Sequence, residues 1–80
     1  MNVTILAFGI AKDIFGGSSV RVEVKDAAIT NDLKQQLESA YPRLKQLSSY
    51  MVAVNNEYAS GNEAINATDE IAIIPPVSGG

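Results

Sequence analysis

Cysteine, histidine and tryptophan are all absent from this chain of 80 residues. Without cysteine there is no disulfide framework, no thiolate nucleophile and no cysteine-based zinc site. Without histidine the commonest general base and metal ligand is missing. Positive charge is also scarce. Six Lys and Arg stand against nine Asp and Glu, a formal net charge of -3, and no cluster suggests a nucleic-acid surface. Met1-Asn2-Val3-Thr4 lacks the basic region of a targeting signal. No apolar run approaches the ~20 residues of a membrane helix. These absences argue against a self-sufficient enzyme and set the expectation of one small, soluble, cytoplasmic domain. At 46% hydrophobic and 19% charged residues, the composition is that of a globular chain.

Val3 to Phe8 is apolar except for Thr4 and reads as a strand covered on both faces. Ile10 to Phe15 suits one or two helical turns, stopped by Gly16 or Gly17. Ser19 to Lys25 alternates, with Val20, Val22 and Val24 on one face and Arg21, Glu23 and Lys25 on the other, which predicts a half-exposed strand. Thr30 reads as a helix N-cap, with Asp32 suiting the positive end of the dipole. Leu33, Leu37, Ala40, Tyr41 and Leu44 then form a helical stripe toward a core. Pro42 predicts an end near Tyr41.

Tyr50 to Val54 reads as a strand closed by Asn55-Asn56, which tolerate turn dihedrals. Tyr58-Ala59 reads as a short return strand, and Thr68-Asp69 as a turn. Glu70 to Ile74 is the last strand, stopped by Pro75-Pro76. With the first and last strands side by side and one main helix across one face, every stripe is satisfied. The predicted fold is therefore α+β: a ubiquitin-like β-grasp with a mixed sheet of about five strands. Residues 1–74 form the domain and 75–80 an extended tail.

That tail, Pro75-Pro76-Val77-Ser78-Gly79-Gly80, carries the strongest functional signal. Two prolines hold its start extended, and six extended residues reach roughly 20 Å. Glycine accepts whatever dihedrals a narrow channel imposes. The carboxylate of Gly80 is a poor nucleophile and a poor electrophile. Once adenylated by a partner it becomes an acyl donor, and sulfide transfer leaves a nucleophilic thiocarboxylate.

Ile73-Ile74-Pro75-Pro76-Val77-Ser78-Gly79-Gly80 resembles the C-terminal signature of the MoaD family of molybdopterin synthase small subunits, within the MoaD/ThiS ubiquitin-like group. The resemblance runs the whole length, through Ile5 to Gly16, Val52-Ala53-Val54-Asn55 and Asp69-Glu70-Ile71-Ala72. Thr68 departs from it, standing where the family usually has glycine, as does Ile73-Ile74, where some members have aromatics. The resemblance implies a sulfur carrier that is not an enzyme on its own and binds no cofactor itself. An E1-like adenylyltransferase of the MoeB type activates Gly80 with ATP and magnesium, and a sulfur donor protein converts it to the thiocarboxylate. Pro75 to Gly79 then thread into the large subunit of the MoaE type, which holds the catalytic lysines and the substrate, cyclic pyranopterin monophosphate. The complete synthase is expected to be a heterotetramer.

The resemblance also places Phe8, Tyr58 and Ile74 in an apolar patch beside the tail base that docks partners. The strand periodicity agrees, because Phe8 lies opposite Ile5 and Ile74 opposite Ile73. A single helix covers one sheet face, so apolar residues on the other need a separate cover; a covering loop is the alternative. Glu57, Glu63, Asp69 and Glu70 lack metal-ligand spacing and read as solvated turn carboxylates. Lys34, Arg43 and Lys45 read as a solvated helix face, Tyr41 as a core side chain, and Asn55, Asn56, Asn62 and Asn66 as turn residues. A thiamine thiazole sulfur carrier, a ubiquitin-like protein modifier and a passive β-grasp module are the competing readings.

Overall fold

The computed structural model describes residues 1–47 and 49–76. The elements follow in the order β1 (Asn2–Ala7), α1 (Ile10–Phe15), β2 (Ser19–Glu23), α2 (Thr30–Ala40), a 3₁₀ turn (Pro42–Gln46), β3 (Met51–Val54), β4 (Glu57–Tyr58) and β5 (Glu70–Ile74). The strands form one mixed sheet in the order β2-β1-β5-β3-β4. β1 and β5 run parallel side by side, and the other pairings are antiparallel. The expected adjacency of first and last strands, with one main helix, is the one observed. Val77, Ser78, Gly79 and Gly80, on which the tail reading rests, lie outside the described residues.

Each element has a local cause. Gly16, at φ 80° and ψ 20°, takes the left-handed position that stops α1, and its N–H donates to the Lys12 carbonyl; only glycine enters that region without a side-chain penalty. Asn55 and Asn56 have φ of 54° and 71°. Positive φ at both central residues defines the type I′ hairpin turn between β3 and β4, and asparagine tolerates it. Pro42, with no N–H to give, opens the 3₁₀ turn instead of continuing α2. That turn follows the predicted stop directly and carries Leu44, fully buried, back into the core.

The core lies between the helices and one face of the sheet. Val3, Ile5, Ile71, Ile73 and Val52 come from the strands, and Leu33, Leu37 and Leu44 from the helical side. Phe15 closes one end, its ring meeting that of Tyr41 edge-on at a centroid distance of 4.7 Å.

Several local readings need correction. β1 is covered on one face only: Val3, Ile5 and Ala7 are buried, but Thr4 is exposed and Leu6 half-buried. Thr30 is not the N-cap. Ile29 takes that position, and Thr30 is buried with its hydroxyl donating to the Glu63 carbonyl. The capping is done by the Asp32 carboxylate, which accepts the Ile29 N–H at 3.0 Å, the half of a capping box that needs only the third-position side chain. Ala40 is exposed, because the helix ends there before its stripe turns inward. Lys34 is half-buried, its ammonium 5.1 Å from the centre of the Tyr50 ring.

Candidate docking face and tail base

Among the described residues one sheet face has no helix across it, and its composition is set by register. Leu6 pairs with Ala72, Ala72 with Ala53, and Ala53 with Tyr58, so these four form a row across β1, β5, β3 and β4. Ile74 pairs with Met51 in the next row. Residues directly paired across strands share a face. The neighbouring register, Ile5–Ile71 and Val52–Ile73, is the core.

Phe8 follows β1 at 48% exposure, Tyr58 is 66% exposed and Met51 46%. Among the described residues, three of the four exposed large hydrophobic side chains therefore stand on or beside this face. Leu6, Phe8, Ala53, Tyr58, Ala72 and Ile74 line a shallow groove of about 270 Å³, with Asn56 and Glu70 at its rim. The structure thus brings together the three residues singled out from the sequence, Phe8, Tyr58 and Ile74. It adds Leu6, Ala53 and Ala72, which sequence reasoning missed. Their signal was the alternation within each strand, but alanines carry little of it, and only register aligns them.

The groove ends where β5 gives way to Pro75. Gly9, beside Phe8, has φ 56° and ψ −133°. A Cβ placed on it would lie 3.1 Å from Pro75 Cγ. Gly9 and the root of the tail therefore leave no room between them for a side chain, next to the exposed Phe8 ring.

Acidic side chains beyond the groove are held by hydrogen bonds. Asp69 accepts from Asn55 Nδ2 at 3.0 Å and from the Asn66 N–H at 2.8 Å. Glu63, read as solvated, accepts the N–H groups of Ser60 at 2.6 Å and Gly61 at 2.9 Å, and the Ser60 hydroxyl. Those donors favour the ionised form and pull its pKa down to about 2. Among the described residues no three acidic side chains converge as a metal site, and no helix is long and apolar enough to cross a membrane. Tyr50, partly buried and hydrogen-bonded to the Glu38 carboxylate, has its phenol pushed well above the ordinary range, first by desolvation and then by that carboxylate.

A five-stranded mixed sheet with one main helix on one face and a bare apolar face at the root of the C-terminal segment is the ubiquitin-like β-grasp architecture. Residues 5–80 match the ThiS family. The molybdopterin synthase sulfur carrier subunit of Chlamydomonas reinhardtii is 37% identical over 83 residues, with all of both chains covered. That of Dictyostelium discoideum is 40% identical, covering 95% of this chain and 93% of its own. The crystal structure of small archaeal modifier protein 1 from Haloferax volcanii superposes with a TM-score of 0.85 at 31% identity, covering all of both chains. The chain belongs to the ThiS/MoaD family of ubiquitin-like proteins.

Proposed function

We propose that this protein is the sulfur carrier subunit of a molybdopterin synthase. The observation that carries the reading is the bare apolar face at the tail root, in a chain whose relatives include molybdopterin synthase sulfur carrier subunits. A groove of this kind, rimmed by polar groups, is a surface that a larger partner covers. Pro75-Pro76-Val77-Ser78-Gly79-Gly80 then enters that partner's site.

The chemistry resides on the main chain. The Gly80 carboxylate attacks the α-phosphorus of ATP, magnesium-bound on an E1-like adenylyltransferase of the MoeB type, and pyrophosphate leaves. Sulfide delivered by a donor protein displaces AMP from the acyl-adenylate, giving the thiocarboxylate. In complex with the large subunit of the MoaE type, that sulfur attacks a carbon of cyclic pyranopterin monophosphate, and water cleaves the resulting thioester, leaving the sulfur on the pterin and Gly80 as the carboxylate. The absence of cysteine and histidine fits this division of labour. Phe8, Tyr58 and Ile74 are the docking side chains, and two carriers with two large subunits make up the heterotetramer.

The Haloferax relative, a small archaeal modifier protein, favours a second reading, amide conjugation of Gly80 to lysines. Intact-mass measurement after incubation with the adenylyltransferase, ATP and a sulfide donor separates the two. An oxygen-to-sulfur change on Gly80, discharged by large subunit and pterin precursor, is expected. Amide adducts with no such change would overturn the carrier reading.

A further inference from the structure

The sheet has a second feature left open: the outer edge of β2, which no strand pairs among the described residues. An open edge presents main-chain donors and acceptors that another chain can use. The direction of those groups follows from the β1–β2 ladder. The Ala7 N–H donates to the Ser18 carbonyl and the Val24 N–H to the Met1 carbonyl, while Ile5 faces Val20 and Val3 faces Val22. Antiparallel ladders alternate bonded and non-bonded pairs. Val20, Val22 and Val24 therefore turn their main-chain groups to β1, and Ser19, Arg21 and Glu23 turn theirs to the open edge. The Glu23 carbonyl does point outward, since it accepts Gln36 Nε2 at 2.5 Å and keeps its second lone pair.

We propose that two copies of this chain associate antiparallel through β2, centred on Val22, so that the Arg21 of each faces the Glu23 of the other and one sheet runs through both. Charge selects the register. Only residues with outward groups can exchange hydrogen bonds across the edge. Centring the pair on Arg21 sets arginine against arginine. Centring it on Glu23 sets glutamate against glutamate and Arg21 against Lys25. Centring it on Val22 gives two Arg–Glu pairs on the exposed face, and opposite charges directly across strands are favourable where like charges are not. Arg21 and Glu23 are exposed, and neither has an ionic partner among the described residues. Val22 meets its own copy on the core-side face. Arg21 and Glu23 stand beside Thr4 and Asn2, at the other end of β1 from Leu6 and Phe8, and β2 lies two strands from β5, so each tail root and groove stays open, and this association is independent of the carrier reading.

Sedimentation of the full chain over a concentration series tests the pairing, with circular dichroism as the check on folding. The wild type is expected to move from monomer toward dimer as concentration rises, and added salt to oppose this. Arg21→Glu and Glu23→Arg, each placing like charges opposite, are expected to weaken association by about tenfold or more. The double variant Arg21→Glu/Glu23→Arg restores both pairs and is expected to dimerise again. A wild type monomeric up to its solubility limit would overturn the proposal. So would a double variant no better than the singles, or a dimer abolished instead by Phe8→Asp, which would place the contact on the groove.

Discussion

Gly9 faces Pro75 with no room for a side chain between them: the space a Cβ would occupy on Gly9 lies 3.1 Å from Pro75 Cγ, and the Gly9 backbone sits at φ 56°, ψ −133°. Two requirements coincide at this one residue. The backbone needs a conformation L side chains rarely adopt, and the root of the tail needs the room. Gly9→Ala is expected to destabilise the fold by about 1–3 kcal/mol through backbone strain and to displace Pro75. Urea unfolding measures the first effect. The rate of sulfur discharge in the large-subunit complex measures the second. A variant as stable and as active as the wild type would show that neither requirement holds.

The groove and the core make opposite predictions for apolar residues on the same strands. Phe8→Asp puts a charge at an exposed position and Ile74→Asp at a half-buried one, both on the face away from the core. They are expected to leave the unfolding midpoint almost unchanged and to weaken large-subunit binding by about 2 kcal/mol or more, roughly 30-fold, as buried interface anchors do. Titration calorimetry against the large subunit, beside thermal unfolding of the free chain, distinguishes the two. If the variants unfolded early, the residues would belong to the core.

Leu37→Ala is the converse case. Leu37 is fully buried on α2 among the sheet residues. Its truncation is expected to cost about 2–5 kcal/mol, the transfer loss plus the cavity. Large-subunit affinity should hold wherever the variant remains folded, because Leu37 lies on the far side of the sheet from the groove. Loss of affinity at full folding would mean that the two faces are coupled.

What could be read from the sequence follows from where the information is carried. Periodicity over the strands and the long helix placed Ile5, Leu33 and Leu37 in the core, and the turn chemistry of Asn55-Asn56 placed the hairpin. Phe8 and Ile74 were placed by the family resemblance, with strand parity in agreement, each being out of phase with a core neighbour. What was missed depends on partners distant in sequence. Thr30 has the chemistry of a cap, but its hydroxyl is directed at the Glu63 carbonyl, 33 residues away. Lys34 has the chemistry of a solvated cation, but Tyr50 comes to lie beneath it. Ala53 and Ala72 gain meaning only when Leu6 and Tyr58 are aligned with them. Pro42 was readable as a stop, while the 3₁₀ turn it opens is fixed by the burial of Leu44.

Glu63 offers the sharpest pH test, because its two roles meet in one residue. Its carboxylate gathers the N–H groups of Ser60 and Gly61. Its carbonyl accepts the Thr30 N–H at 2.9 Å, and the Gly61 carbonyl accepts that of Asn31. The organised loop thereby satisfies two of the N–H groups that the start of α2 leaves without helical partners. In the folded chain the Glu63 pKa falls from 4.5 to about 2. The unfolded chain therefore takes up the proton first as pH falls, and folding stability drops across that window. Above about pH 4.5 the contribution is fully present; toward pH 2 it is lost. Glu63→Gln cannot titrate, so its deficit relative to wild type is expected to be largest near neutrality and to shrink steadily through the same window. Urea unfolding of both chains across that pH range measures the difference. A deficit that stays constant with pH would mean that the carboxylate charge contributes nothing and that only the shape of the loop matters.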